Sequence, residues 1–211
     1  MTNFRKVILP LAAALAFAVA PAAVQAQDFG LLESAETIDR GTFKLRANPM
    51  FIFGKNGQGD EAGAAIRVGY GVADRFDIEG GIALYDDFTF FGADAEFWLM
   101  QDRVAANPFD LSVILGFHLG NGDRTPDTRG FDLTFLASKR VSDRTELYGG
   151  LDIAFEALRN AGIDHSYTPV HFVPGIEYRL ARDLDLVGEV GIGLSDEARH
   201  YIGVGLAVYF R

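Results

Sequence analysis

The side chains best suited to acid–base chemistry stand in two short polar segments of the sequence. One is Asp86-Asp87 and the other is Asp164-His165. Carboxylates and an imidazole can polarise a water molecule held between them, so these residues would form a hydrolytic site if the fold brought both segments to one rim. Two aspartates are also ordinary residues of a tight turn. We predict that the chain is not an enzyme, with rim hydrolysis of the protease type as the alternative.

Serine and histidine pairs offer a second route to hydrolysis, by nucleophilic attack on a lipid ester. The candidates are Ser195 with His200, and Ser166 with His165 and His171. No surrounding motif supports either set, so we predict no catalytic residue. A lipid A-modifying enzyme remains a second form of the enzymatic alternative.

Metal chemistry has a weak basis in this sequence. Five oxygen-bearing residues imitate the spacing of a calcium loop: Asn121, Asp123, Thr125, Asp127 and Asp132. The position that needs glycine is Pro126, and the closing residue is aspartate in place of glutamate. The chain has no cysteine, which excludes disulfides and thiolate zinc sites. We therefore predict no resident metal or cofactor.

The charge balance of the 211-residue chain excludes two further classes. Its 29 acidic residues outnumber 19 basic ones, for a net charge of −10, so it lacks the positive charge with which nucleic-acid-binding proteins neutralise phosphate. With 49% hydrophobic residues it is too apolar for a disordered acidic tail. We expect a folded chain with no nucleic-acid partner.

The first 26 residues have the layout of a secretory signal peptide. Arg5 and Lys6 precede an apolar run from Val7 to Ala20, and small residues lead to Ala26. We predict cleavage after Ala26. Removal of the two basic residues takes the net charge from −10 to −12.

From residue 41 onward the sequence alternates with a period of two, which is typical of strands with one apolar and one polar face. In 76–85, for example, Ile78 and Leu84 share one parity, whereas Asp77 and Glu79 share the other. This pattern predicts an all-β, up-and-down antiparallel barrel of about ten strands, with 8 or 12 as alternatives. The predicted strands are 41–53, 62–72, 76–85, 88–100, 109–119, 130–141, 145–157, 168–180, 184–194 and 200–210.

Turn signals support this division into strands. Three turns repeat a small residue with an Asp/Arg pair, and an unchanged apolar parity across them predicts three-residue loops that pair Val72 with Phe76, Val141 with Thr145, and Leu180 with Leu184. The two-residue Asp86-Asp87 turn should reverse the parity. Residues 154–161 would also accept a helix, so that part of the seventh strand has an alternative. Short turns and both termini fall at one end of the barrel, and longer loops at the other.

The apolar face is predicted to point outward, into lipid, because it carries almost no charge and the polar face combines charges with glycines that a narrow lumen needs. An inward apolar face would instead give a soluble periplasmic binding barrel. The predicted polar network of the lumen consists of Lys44, Arg46, Arg67, Asp77, Glu79, Asp94, Glu96, Asp110, His118, Asp132, Arg140, Glu146, Asp152, Glu156, His171, Glu177, Arg179, Asp185 and Glu189.

Two segments resemble the small outer-membrane β-barrel proteins of Gram-negative bacteria, the porin-like superfamily. They are the strand-turn-strand segment from Gly69 to Ile78 and the C-terminal segment from Val204 to Phe210. The resemblance implies an outer-membrane location, lipid around the barrel, and an assembly machinery that reads the last strand. The additional Arg211 after the final aromatic residue departs from the pattern of that group.

A ten-stranded barrel has an interior that side chains can nearly fill, since open aqueous channels need about 16 strands. The predicted lumen holds 12 acidic and 5 basic residues, so we expect a structural protein or a narrow passive pore that favours cations. Residues 27–40 precede the barrel as a periplasmic N-terminal segment. Within it, Leu31 to Ile38 would form a short helix, either as a partial plug or as a tail. The oligomeric state and any solute are not predicted.

Overall fold

The computed structural model describes residues 30–55, 59–86, 88–102, 107–122, 127–160 and 163–211, without the side chains of 158–160 and 163–165. The predicted signal peptide lies outside these residues. Among the residues described, no helix is long and apolar enough to cross a bilayer. The strands are β1 (Phe43–Ile52), β2 (Glu61–Ala73), β3 (Phe76–Tyr85), β4 (Phe88–Met100), β5 (Asp110–Gly122), β6 (Asp127–Ser142), β7 (Thr145–Asn160), β8 (Ile163–Tyr167), β9 (Val170–Ala181), β10 (Leu184–Gly193) and β11 (Tyr201–Phe210).

The strands close into an antiparallel barrel with up-and-down neighbour order. Each strand from β1 to β7 pairs with the next, β7 pairs with β9, and β11 closes the ring against β1. The short β8 pairs with the far end of β7 and forms one interrupted strand with β9. Pro169, which lacks an N–H group, stands at the interruption. The predicted ten-strand barrel is therefore confirmed.

The three Asp/Arg turns differ in detail from the prediction. The innermost pairs are Ala73 with Phe76, Ser142 with Thr145, and Ala181 with Leu184, so each turn has two residues, and a register shift follows in the adjoining strands. The predicted three-residue loops are wrong because a bulge takes up the third residue. Since a bulge adds one residue to one strand, the parity is preserved as predicted.

The alternative helix at residues 154–161 is also wrong for the residues described there. Within β7, Ala154 and Phe155 pair with β6, and Glu156 pairs with Gly130 of β6 and Tyr167 of β8. Hydrogen bonding to strands on both sides outweighs the local helical preference of this segment, as tertiary context commonly does.

The apolar parity faces outward, as predicted. Leu115 of β5 is 52% exposed and Phe131 of β6 is 64% exposed, whereas the neighbouring Ile114 and Thr134 are buried inside. The large exposed apolar side chains come from every strand of the ring. A soluble barrel with an inward apolar face is not the arrangement observed.

A charge on this outer face should destabilise the barrel according to its depth. We expect Leu115→Arg, at the middle of β5, to lower the free energy of unfolding by roughly 2–4 kcal/mol in lipid vesicles. The control Val141→Arg lies at the end of β6 and should cost at most about 1 kcal/mol. Urea titration monitored by Trp98 fluorescence measures both, and equal costs at the two depths would contradict the lipid-facing orientation.

Residues 30–38, called the plug segment below, run inside the barrel. Leu32, Ala35 and Ile38 are each at most 4% exposed. The segment extends from the middle of the lumen towards the end that holds the three tight turns, called the turn end, where Gly41 reverses the chain into β1 with a φ of 79°. The other end is called the loop end.

The short helix predicted from Leu31 to Ile38 is wrong. The described segment contains no helical turn, because its N–H groups bind side chains of the barrel wall and not its own carbonyl oxygens. Of the two predicted positions, a plug or a tail, the structure shows the plug for residues 30–38. That position brings the segment into the predicted site.

Candidate functional site: the barrel lumen

The polar residues predicted for the lumen occupy the inner face of the barrel wall. Thirteen of the nineteen are buried: Lys44, Arg46, Arg67, Asp77, Glu79, Glu96, Asp110, His118, Glu146, Glu156, His171, Asp185 and Glu189. Five are partly exposed: Asp94, Asp132, Arg140, Asp152 and Glu177. Arg179 is exposed at the turn end, close to the end of β9. Alternation along the strands explains their common face.

The middle of the lumen holds a network of three cations and three carboxylates, called the central ion network. Its members are Lys44, Arg46, Arg67, Glu33, Glu79 and Asp94. Glu79 is its hub, with a carboxylate oxygen 2.8 Å from Lys44 Nζ, 3.0 Å from Arg46 Nη2 and 2.9 Å from Arg67 Nε. The wall alone supplies three positive and two negative charges here. The sixth member must neutralise the excess.

That sixth member is Glu33, which comes from the plug segment. Its Oε2 lies 3.0 Å from Lys44 Nζ and 3.2 Å from Arg46 Nη1. Arg46 is fully buried, and these partners offset the free-energy cost of burying its charge, because an unpaired buried cation is costly. Glu33 was not among the predicted site residues. Its partners are 11 and 13 positions away in the sequence, across the reversal at Gly41.

Glu189 holds the inner end of the plug segment. One carboxylate oxygen accepts the Leu31 N–H at 2.9 Å and the other accepts the Leu32 N–H at 2.6 Å. The hydroxyls of Tyr148 and Tyr201 also donate to Glu189, at 2.9 and 3.0 Å. Four neutral donors therefore satisfy this buried carboxylate and fix the main chain beside it.

Further contacts hold the segment towards the turn end. The Ala35 N–H donates to Ser138 Oγ at 3.1 Å, and the Ile38 N–H donates to Asp77 Oδ2 at 2.5 Å. Arg140 Nη2 lies 2.5 Å from Glu36 Oε1. These partners are separated by 39 to 104 positions in the sequence. Local patterns therefore contain no signal for them.

Apolar packing completes the seat of the segment. Leu32 and Ala35 belong to one buried cluster with Ile114, Tyr148 and Leu136 of the wall. These wall residues have the inward parity of their strands, so the alternation correctly places them inside the barrel and not on the lipid face. The plug segment is thus bound by ions, hydrogen bonds and apolar contacts together.

Beyond the segment, a small cavity of about 60 Å³ lies in the middle of the lumen. Its polar lining includes Asp94, Asp132, Asp152 and His118. His118 lies between two carboxylates, with Nδ1 2.8 Å from Asp132 Oδ2 and Nε2 2.7 Å from Glu156 Oε1. Such a cavity accommodates a few water molecules or one small ion, and not a sugar or a nucleotide.

The lumen becomes apolar towards the loop end. Inward-facing residues there form a second buried cluster, called the aromatic cluster: Met50, Ile52, Ala65, Ala83, Tyr85, Phe88, Phe90, Val173 and Tyr201. We predicted the inner face only as polar, and the aromatic cluster is a correction to that prediction. Large aromatic side chains fill space efficiently, and a narrow apolar constriction also resists wetting.

Two basic residues fasten the loops at the mouth above this cluster. Arg199 donates to the carbonyl oxygens of Phe53 (3.0 Å) and Gly59 (2.7 Å) and pairs with Glu61 at 2.5 Å. Lys55 donates to the carbonyl oxygens of Ser195 and Ala198. The loops before β2 and β11 therefore bind each other. Sequence reasoning missed this contact because both loops are polar and unpatterned.

Of the four rim enzyme candidates, only the Asp86 side chain lies among the residues described. Asp86 is exposed in its turn, Asp87 lies outside the description, and so do the side chains of Asp164 and His165. Ser195 Oγ accepts the Val170 N–H, a structural role.

The remaining polar candidates bind main-chain groups. His200 Nδ1 accepts the Gly193 N–H, and His171 Nε2 lies 3.1 Å from the Arg199 carbonyl oxygen. Of the calcium-like set, Asp123 and Thr125 lie outside the description, and Asp132 binds His118 in the lumen.

One acidic group at the turn end has the separation of metal ligands. Carboxylate oxygens of Glu36, Asp102 and Asp110 lie within 4.8 Å of one another. Glu36 is paired with Arg140, and Asp110 Oδ1 accepts from Trp98 Nε1 at 3.0 Å. These bonds account for the position of the group without a metal ion.

The solved structures that this chain matches include outer-membrane β-barrels. The COG4313 outer membrane channel from Pseudomonas putida F1 matches over 88% of this chain and 100% of its own, with a TM-score of 0.57 and 9% identity. The KdgM porin matches over 80% of this chain and 99% of its own (TM-score 0.46, 10% identity). Ail of Yersinia pestis matches over 81% and 99% (TM-score 0.38, 12% identity). The sequence matches no family model and no curated protein. The resemblance to outer-membrane barrels is confirmed at the level of the fold.

Proposed function

We propose that this chain is an outer-membrane barrel that forms a narrow passive conduit for small cations, nearly closed at rest. The observation that carries the proposal is the composition of the polar network predicted for the lumen, which contains 12 carboxylates and 5 basic side chains and of which all members but Arg179 are buried or partly buried in the wall. In a lumen with a low dielectric constant, such a surplus attracts cations and repels anions. The plug segment narrows one half and the aromatic cluster narrows the other.

The basic residues of the lumen are already committed to carboxylates. Lys44, Arg46 and Arg67 belong to the central ion network, and Arg140 pairs with Glu36 and Glu146. Among the carboxylates that line the cavity, Asp152 accepts a hydrogen bond from the Thr134 hydroxyl at 2.7 Å. Four carboxylates line the cavity (Glu33, Asp94, Asp132 and Asp152) against one guanidinium group (Arg67), and this surplus of acid supports cation preference.

Selectivity should depend on the carboxylates of the cavity. We expect the double variant Asp132→Asn, Asp152→Asn to reduce the cation-to-anion permeability ratio roughly twofold in planar bilayers, because two negative charges leave the lining of the cavity. The matched control Asp86→Asn removes a charge from an exposed turn outside the lumen and should leave the ratio unchanged. An equal ratio in the double variant and the parent would contradict cation selection at the cavity.

The location and biogenesis belong to the same proposal. We propose export through the signal peptide 1–26, insertion into the outer membrane with lipid as the immediate partner, and recognition of β11 by the assembly machinery. The turn end would face the periplasm. A protein that needs detergent and migrates differently before and after boiling supports this, whereas one soluble without detergent opposes it. A barrel that inserts but shows no conductance would have a structural role, without catalysis.

A further inference from the structure

The barrel wall binds the plug segment largely through its main chain. Five of its main-chain groups have wall partners: the N–H groups of Leu31, Leu32, Ala35 and Ile38, and the carbonyl oxygen of Leu32. The last accepts from Arg46 Nη1 at 2.6 Å. Main-chain groups are common to every peptide. A wall that binds main-chain groups can accept a non-helical peptide of any sequence, and side-chain contacts add the specificity.

Basic side chains of the wall bind two acidic residues of the plug segment that are three positions apart. Glu33 binds Lys44 and Arg46, and Glu36 binds Arg140. Both cationic positions are on the wall, and both carboxylates are on the segment. The wall therefore selects a peptide with acidic side chains at i and i+3.

Glycines in the wall make room for apolar side chains of the segment. A Cβ atom at Gly69 would collide with the Ile38 side chain, and one at Gly150 would collide with the Leu31 side chain. These two glycines lie on β2 and β7, on different sides of the ring. The wall thus has hollows that fit the apolar side chains of a peptide, in addition to charged groups that bind its main chain and its carboxylates.

We propose that the turn half of the lumen is a binding site for a non-helical acidic peptide, with the plug segment as its resident ligand. The ligand class is a non-helical peptide with apolar residues every third position and two carboxylates at i and i+3. A peptide of this kind presented at the turn end competes with the plug segment. The proposal concerns binding and does not require that the barrel conducts ions.

A competing peptide must displace the plug segment, which is covalently linked to the barrel. A covalently linked segment has an effective concentration in the millimolar range, so a free peptide at micromolar concentration binds measurably only when the resident is weakened. Glu33→Lys weakens it selectively, because the substitution is in the segment, leaves the wall intact and places a cation against Lys44 and Arg46.

The test measures fluorescence anisotropy of a labelled synthetic peptide, GLLESAETID, which has the sequence of residues 30–39, with the full-length barrel in detergent. We expect the Glu33→Lys protein to bind it at least about tenfold more tightly than the parent. The peptide GLLQSAQTID, without the two carboxylates, should bind the same variant at least about tenfold more weakly. The peptide GLLESAESID, in which only Thr37 is replaced, by serine, should stay within about twofold.

Binding of the glutamate and glutamine peptides with equal affinity would overturn the proposal, as would no gain on Glu33→Lys. If Glu33→Lys fails to fold, judged by its mobility before and after boiling, Glu33→Gln provides the same comparison with a smaller gain. Peptide binding in a barrel that shows no conductance would refute the conduit and leave the peptide site. Conductance without peptide binding would do the reverse.

Discussion

Removal of residues 30–38 should raise the single-channel conductance of this barrel about fivefold, because the deletion empties the turn half of the lumen. The barrel itself should still form, since every strand pair of the ring joins residues from 43 onward. The aromatic cluster remains in the other half and should keep the conductance below that of a large open pore.

A substitution at the edge of the same segment controls for effects outside the lumen. Asp39 is exposed at the turn end, where it pairs with Arg211 at 2.7 Å. We expect Asp39→Asn to leave the conductance unchanged in the same planar bilayers. Equal conductance of the deletion variant and the parent would show that the plug segment does not limit passage.

Replacement of Arg46 should cause the largest loss of stability among single substitutions. Arg46 is fully buried and binds Glu33, Glu79 and the Leu32 carbonyl oxygen. Arg46→Met leaves these acceptors buried with one cation fewer, which should lower the free energy of unfolding by about 3–5 kcal/mol. Urea titration of the protein in lipid vesicles measures the change.

Two comparisons separate the network from the loss of a side chain. Arg179→Met removes a half-exposed cation whose nearest partner, Asp185, is 3.9 Å away, and should cost less than about 1 kcal/mol. The double variant Arg46→Met, Glu33→Gln should recover part of the loss, because it also removes the carboxylate left in excess. Equal costs for Arg46→Met and Arg179→Met would contradict a buried, interdependent network.

The parity of the strands was the part of the structure that local sequence could predict. Side chains alternate with a period of two whatever a strand pairs with, so Leu115 and Phe131 could be placed outside and Asp77 and Glu79 inside before any topology was known. The two-residue turn at Asp86 follows from the same argument. Bulges beside the other turns did not follow, because they preserve parity and leave no trace in the pattern.

The occupant of the lumen could be predicted only as one of two possibilities. Leu31 to Ile38 has the composition of a short helix, and its non-helical form depends on acceptors such as Glu189, 157 positions away from Leu32. The aromatic cluster was missed for a related reason. Phe88 and Phe90 face inward with the polar parity, and apolar residues on both faces of β4 obscure the alternation there.

The plug segment lies inside the lumen of the barrel, where its side chains are shielded from reagents dissolved in water. Because the chain has no cysteine, a single cysteine reports its own accessibility. Ala35 is 0% exposed, whereas Glu197 is exposed in the loop before β11. In lipid vesicles, a bulky water-soluble maleimide should modify Glu197→Cys within minutes, but should modify Ala35→Cys only after unfolding in urea. Equally rapid modification of Ala35→Cys in the folded, inserted protein would show that the plug segment does not lie inside the lumen.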